Sequence, residues 1–123
     1  MNILLFAVHG SRKSDSNKGV ENFFEKVRKN LGKKIDKAFC CYLQFGTPKI
    51  EEVLEAELQK GADTVYIFPY FLFRGSHVTE DIPEIKEKFE KKYPEASIKI
   101  LNTPGEIKGF DQFIAKSLNA LVS

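Results

Sequence analysis

Histidine, cysteine and long apolar runs are all scarce in this sequence, and each scarcity narrows the chemistry. The 123 residues hold two histidines, His9 and His77, and two cysteines, Cys40 and Cys41. The cysteines are neighbours in an apolar run, and adjacent strand residues point to opposite faces, so a disulfide between them is geometrically poor. Buried free thiols in a reducing compartment are expected instead. No apolar run approaches the roughly 20 residues that cross a bilayer, and the N-terminus has neither a basic lead nor a cleavage site. A cytoplasmic protein with no membrane partner is expected. A charge excess is lacking too: 19 basic and 17 acidic residues leave a net +2. That balance argues against a dedicated nucleic-acid binder, which would show a basic face. The charges interleave, as from Glu84 to Lys92, in the pattern of a solvated helix face.

Motifs are missing as well. No glycine-rich phosphate loop follows the first apolar run, which removes the mark of P-loop and dinucleotide-binding proteins. The acidic cluster of a phospho-acceptor domain is absent there, and no serine sits in a nucleophile elbow. Ser11 lies two residues beyond His9, and residues so near in sequence rarely adopt the geometry of nucleophile and base.

What the sequence does contain is regular alternation. Asn2–Val8 is a continuous apolar run, as in a strand covered on both faces. Val20, Phe23, Phe24, Val27 and Leu31 form one helical stripe, with Gly32 as a C-terminal cap. Ala38–Leu43 is a second strand. Thr47 is the expected cap of the next helix, Pro48 its first residue, and Ile50, Val53, Leu54 and Leu58 its buried stripe. Thr64–Tyr70 is a third strand, with Pro69 at the end of its pairing. Thr79 or Asp81 then caps a helix carrying Ile82, Ile85, Phe89 and Tyr93. Ser97–Leu101 alternates weakly and reads as an edge strand. A final helix places Ile107, Phe110, Phe113, Ile114, Leu118 and Leu121 inward.

Strands joined by helices must run parallel, with right-handed crossovers. One α/β domain over residues 1–123 is therefore expected, an open, doubly wound, four-stranded parallel sheet with helices on both faces and strand order 2-1-3-4. In such a sheet ligands bind beyond the carboxyl ends of the strands, where the winding reverses. With that order the reversal lies between strands 1 and 3. His9 follows the first and His77 lies in the loop after the third, so both imidazoles reach one crevice. Gln44 ends the second strand on the same edge. A lone histidine at a strand end is commonly a hydrogen-bonded structural residue; two at one switch point suit a borderline divalent metal, or one imidazole acts as a base. Two protein ligands are too few for a closed structural site.

Three stretches carry a family likeness: His9-Gly10-Ser11-Arg12, Tyr42–Glu52, and Pro69–Pro83, which contains Arg74-Gly75-Ser76-His77 and Asp81-Ile82-Pro83. With these the chain resembles the small sirohydrochlorin cobaltochelatases, the short form of the CbiX-type class II chelatases. The likeness covers most of the chain to about Pro83, and beyond it only the βα pattern matches. The resemblance implies ATP-independent insertion of cobalt(II) into sirohydrochlorin on the anaerobic route to cobalamin. Related short chelatases use nickel or iron. It implies that His9 and His77 contact the metal, which is a substrate, and that no organic cofactor takes part. It further implies a macrocycle cleft contacted by Ser11, Arg12, Gln44, Arg74, Gly75 and Ser76, and a homodimer that completes this cleft between subunits. Lys13 is a further rim cation, and Phe45, Phe71 and Phe73 are candidate cleft walls. One departure stands out: the family usually has glutamate where this chain has Gln44, and an amide cannot take a pyrrole proton. A histidine, Glu80 or Asp81 would have to cover that role, although Asp81 also reads as a helix cap. The alternative to catalysis is a carrier that binds metal or tetrapyrrole without joining them.

Overall fold

β1 (Asn2–Gly10) is the strand around which the chain is wound. Ile3 to Val8 are all buried, since Ile3, Leu5 and Ala7 enter one apolar cluster while Phe6 and Val8 enter another on the opposite face. Burial on both faces explains why this run is continuously apolar rather than alternating. The structure, a computed structural model, describes residues 1–123. After β1 come α1 (Ser14–Lys29), β2 (Lys37–Phe45), α2 (Ile50–Gln59) and β3 (Thr64–Pro69). A π-helical turn (His77–Asp81) then runs directly into α3 (Ile82–Lys92). β4 (Ser97–Ile100), a 3-10 turn (Pro104–Glu106) and α4 (Phe110–Leu121) complete the chain.

All pairings are parallel and the strand order is β2-β1-β3-β4, as the alternation predicts. Pro69 pairs with Ala7 as the last residue of β3, where a missing N–H costs least, and β4 is the edge strand. Right-handed crossovers place α2 and α3 over the face holding Ile3, Leu5 and Ala7, and α1 over the other. The cysteines divide in the same way. Cys41 is buried beneath α2 and α3 while Cys40 packs toward α1, and both thiols are free. Burial, with help from the nearby Glu21 and Glu25 carboxylates, pushes the Cys40 thiol up to about 11. No helix is long and apolar enough to cross a membrane.

Four local expectations are corrected. α1 stops at Lys29 with Asn30 at its C-cap, short of Gly32. α2 begins at Ile50 with Lys49 as its N-cap; Thr47 and Pro48 precede it, joined by a cis peptide bond. The reason is that the Pro48 carbonyl is taken by the Tyr42 N–H (3.0 Å), which holds this segment against β2 before the helix can start. The third helical stretch begins in the π-helical turn, several residues before Asp81, and neither Thr79 nor Asp81 makes a side-chain cap. Finally, α4 buries no residue, and its stripe of Phe113, Ile114, Leu118 and Leu121 is exposed. Periodicity identifies an apolar face but not what covers it.

Candidate active site

A β-bulge at the end of β1 builds one side of the site. Val8 pairs with Tyr42 and Gly10 with Phe45, so Leu43 and Gln44 together stand opposite the single residue His9. Bulges of this kind bend a strand and re-aim its side chains. The bulge demands glycine at position 10: its φ is 93°, and a Cβ there would lie 1.8 Å from the Phe45 carbonyl oxygen. β1 thus extends two residues beyond its expected end, and His9 sits inside the strand.

Asn17, whose role no sequence pattern signals, holds the following loop. Its Oδ1 accepts from the Ser11 N–H (2.8 Å), and its Nδ2 donates to the carbonyls of Ser11 (3.0 Å) and Phe45 (3.3 Å). One side chain therefore ties the His9 loop to the end of β2. The Ser11 hydroxyl accepts from the Lys13 N–H (3.1 Å) and so serves the turn. Lys49 does for the next loop what Asn17 does here, donating from Nζ to the carbonyls of Gln44 and Gly46.

The π-helical turn builds the other side. The Gly75 carbonyl accepts from the N–H groups of Val78 (3.1 Å) and Thr79 (3.0 Å) and from the Thr79 hydroxyl (3.1 Å). Val78 is buried and anchors the turn, leaving His77 half-buried at its mouth. The widened turn brings His77 Nδ1 within 2.6 Å of Asp81 Oδ2. Turns of this type recur at functional sites.

The two imidazoles meet. Their ring centroids are 4.6 Å apart with the planes inclined at 49°. Phe71 stacks on His77 (6.1 Å, 21°), and Phe45 meets His9 edge-on (5.8 Å). Each ring has a fixed partner at Nδ1: the Gly10 carbonyl for His9 (3.2 Å) and the Asp81 carboxylate for His77. A carbonyl and a carboxylate only accept, so Nδ1 donates in both bonds, and in the neutral form of each ring Nε2 is then the nitrogen with the free lone pair. No group of three or more His, Cys, Asp or Glu side chains capable of holding a metal ion exists, and the residues here that could offer nitrogen donors to one are this pair. The pair suits a borderline divalent ion and would leave its other coordination positions open.

Gln44, His77, Asp81, Glu51 and Glu84 line one pocket, so Gln44 does reach the His77 side of the crevice. Arg12 lies over the Phe45 ring, 4.8 Å from its centroid, and neither Arg12 nor Lys13 has an acidic partner. Arg74 is differently placed: its Nε donates to Glu106 (2.8 Å) and its terminal nitrogen to Asn102 (3.4 Å). The guanidinium, with the N–H and hydroxyl of Thr103, holds the Glu106 carboxyl down at about 2. Arg74 therefore fastens the loop after β3 to the loop after β4. Ser76 is exposed at the head of the π-helical turn, and Phe73 projects into solvent.

Paired imidazoles at the switch point of a four-stranded, doubly wound sheet define an α/β protein with donors for a borderline divalent ion. The chain belongs to the CbiX family, whose model matches residues 3–120. It is 32% identical over 118 residues to a sirohydrochlorin ferrochelatase from Priestia megaterium, covering 96% of this chain and 42% of that protein. It is 29% identical over 89 residues to a sirohydrochlorin cobaltochelatase from Sulfolobus acidocaldarius, covering 72% of this chain and 69% of the relative. The chain thus spans less than half of the first of these relatives. Two solved structures share the fold. The CbiX protein from Marinobacter aquaeolei superposes with a TM-score of 0.82 at 17% identity, covering 99% of this chain and 98% of the other. The sirohydrochlorin chelatase SirB from Bacillus subtilis subspecies spizizenii, in complex with cobalt, gives 0.81 at 22% identity, covering 97% of this chain and 50% of that one.

Proposed function

We propose that this chain inserts a divalent metal ion into sirohydrochlorin without ATP, cobalt(II) being the first candidate and nickel or iron the alternatives. The observation that carries this reading is the approach of His9 to His77, 4.6 Å between ring centroids, with both Nδ1 positions occupied. Two neutral imidazoles hold a partly dehydrated ion without enclosing it, as a protein that must release its metal requires. Family membership, and relatives named for both iron and cobalt insertion, support the macrocycle as acceptor but leave the metal open.

In this reading the macrocycle lies across the crevice with its carboxylates toward Arg12 and Lys13, the cations lacking acidic partners. The ion passes from the imidazoles to the ring nitrogens, two pyrrole N–H bonds break, and two protons leave. An imidazole Nε2 freed of its metal can take one. Glu51 and Glu84, which share the pocket of His77 and Gln44, are carboxylates that can take the other. Gln44 contributes hydrogen bonds but no proton transfer.

The test is an anaerobic absorbance assay of sirohydrochlorin with cobalt, nickel and iron in turn. Acceleration over the protein-free rate by at least one metal is expected. Binding of macrocycle with no acceleration by any metal would favour the second reading, a carrier, for which Gln44 in the family's acidic position is the supporting feature.

A further inference from the structure

The contacts that hold His77 do not end at Asp81. Between Phe71 and the π-helical turn the loop after β3 forms neither helix nor strand, and its large side chains lie outside. Leu72 is 57% and Phe73 67% exposed, and neither joins an apolar cluster. The segment nevertheless carries two contacts on which the site depends. Phe71 stacks on His77, and the Gly75 carbonyl accepts the hydrogen bonds that begin the π-helical turn. A loop with few buried contacts of its own opens easily, and an opening here would release both.

The loop after β4 grips this segment at two points. The Gly105 N–H donates to the Leu72 carbonyl (2.8 Å), and Arg74 donates to Glu106 and Asn102. Leu72 adjoins Phe71 and Arg74 adjoins Gly75, so each grip lies one residue from a group that steadies His77. The first grip requires glycine: a Cβ at position 105 would stand 2.3 Å from the Leu72 carbonyl oxygen and 2.8 Å from the Phe73 ring. The gripping loop is itself firmly rooted. The Leu101 N–H donates to the Ile67 carbonyl (2.8 Å), and Thr103 is fully buried. The Thr103 N–H (3.0 Å) and hydroxyl (2.8 Å) both donate to Glu106 Oε1, while Arg74 takes Oε2. The two carboxylate oxygens thus join the end of β4 to the loop beside His77.

We infer that Glu106 and Gly105 are positioning residues for His77, setting the orientation of its imidazole through the loop after β3. This rests on the reading of His77 as a metal-holding residue. Neither Glu106 nor Gly105 acts on the ion directly. Phe71 transmits the constraint to the face of the ring and Gly75 to its backbone, so the C-terminal third of the chain takes part in the site.

Two substitutions loosen the grips separately. Glu106→Gln keeps an oxygen acceptor for Thr103 but presents an amide donor to Arg74, so only the Arg74 arm opens. Gly105→Ala displaces Leu72 with no change of charge. Cobalt(II) affinity, read from the visible spectrum of the bound ion, should fall roughly tenfold in each, the low end of what supporting residues around a metal contribute. The loss in Glu106→Gln should persist at roughly 0.5 M potassium chloride, where a charge acting through space is screened. Should Gly105→Ala fail to fold, Asn102→Ala is a neutral substitution at the second partner of Arg74. The ring gives a second readout that needs no metal. The His77 Nδ1 proton, shared with Asp81, should be a slowly exchanging signal in the nitrogen-15 histidine spectrum, assigned by its absence in His77→Gln, and should broaden in both variants. A signal absent from the wild type or equally sharp in both variants overturns the inference. So does unchanged cobalt(II) affinity in both, or a loss confined to Glu106→Gln and abolished by salt. A wild-type chain that binds no cobalt(II) removes the metal-holding reading, and the ring signal then decides the positioning alone.

Discussion

His77 Nδ1 and Asp81 Oδ2 stand 2.6 Å apart across a single π-helical turn. The carboxylate engages Nδ1 and holds the ring's orientation, which leaves Nε2 as the nitrogen that a metal would meet. Histidines that ligate metals commonly rely on such a partner. Asp81→Asn keeps the size but removes the charge, and Asp81→Ala removes both. Cobalt(II) affinity, followed by the visible spectrum of the bound ion, should fall roughly 10- to 100-fold in the alanine variant and less in the asparagine variant. Unchanged affinity in both would show that the pair is structural only.

Gly10 makes a prediction about stability. With φ at 93° and the Phe45 carbonyl where a Cβ would go, Gly10→Ala must separate β1 from β2 at the bulge. A loss of roughly 2–4 kcal/mol in urea unfolding is expected. Gly19→Ala provides the control, since nothing lies within 4 Å of a Cβ at that site.

Gln44 tests the proton traffic. It lines the pocket of His77, so Gln44→Glu places an acceptor there without new bulk. Insertion should speed up by about tenfold if proton removal limits the rate, within the usual reach of a positioned base. A rate unchanged by this substitution would assign the protons to the imidazoles and neighbouring carboxylates.

The Cys40 thiol predicts a pH window. Burial holds it up to about 11, against an ordinary value of 9.0. A raised thiol stays neutral, so at pH 8 the folded protein should be alkylated on the order of 100-fold more slowly than the unfolded chain. The sign for stability follows. The contribution is complete below about pH 9 and is lost as pH rises through about 11, where only the unfolded thiol ionises readily at first. Urea midpoints at pH 8 and above 10 check this direction.

The sheet was legible in the sequence because its signals are local. Continuous runs such as Ile3–Val8 mark a strand buried on both faces, and the intervening helical stripes force parallel pairing. The meeting of His9 and His77 followed from strand order alone. Features that depend on registry were hidden. Opposing His9 with both Leu43 and Gln44 requires knowing how β1 and β2 pair, and only then does Gly10 acquire its purpose. Asp81, two residues before Pro83, had the marks of a helix cap; a π-helical turn that starts earlier frees its carboxylate for His77. The i, i+4 spacing of the two residues was the available signal. Asn17 carried none, since a polar residue near a loop becomes a clamp only once β2 arrives beside it. Arg74, a candidate rim cation by position, is committed to Glu106 because the loop after β4 comes alongside.

The central claim is that His9 and His77 hold the metal jointly. Its most direct test is the rate of metal insertion into sirohydrochlorin by His77→Ala and His9→Ala, with thermal unfolding recorded on the same samples. Each substitution should lower the rate by about 100-fold or more while leaving the unfolding temperature nearly unchanged. Full activity in either well-folded variant would contradict the account.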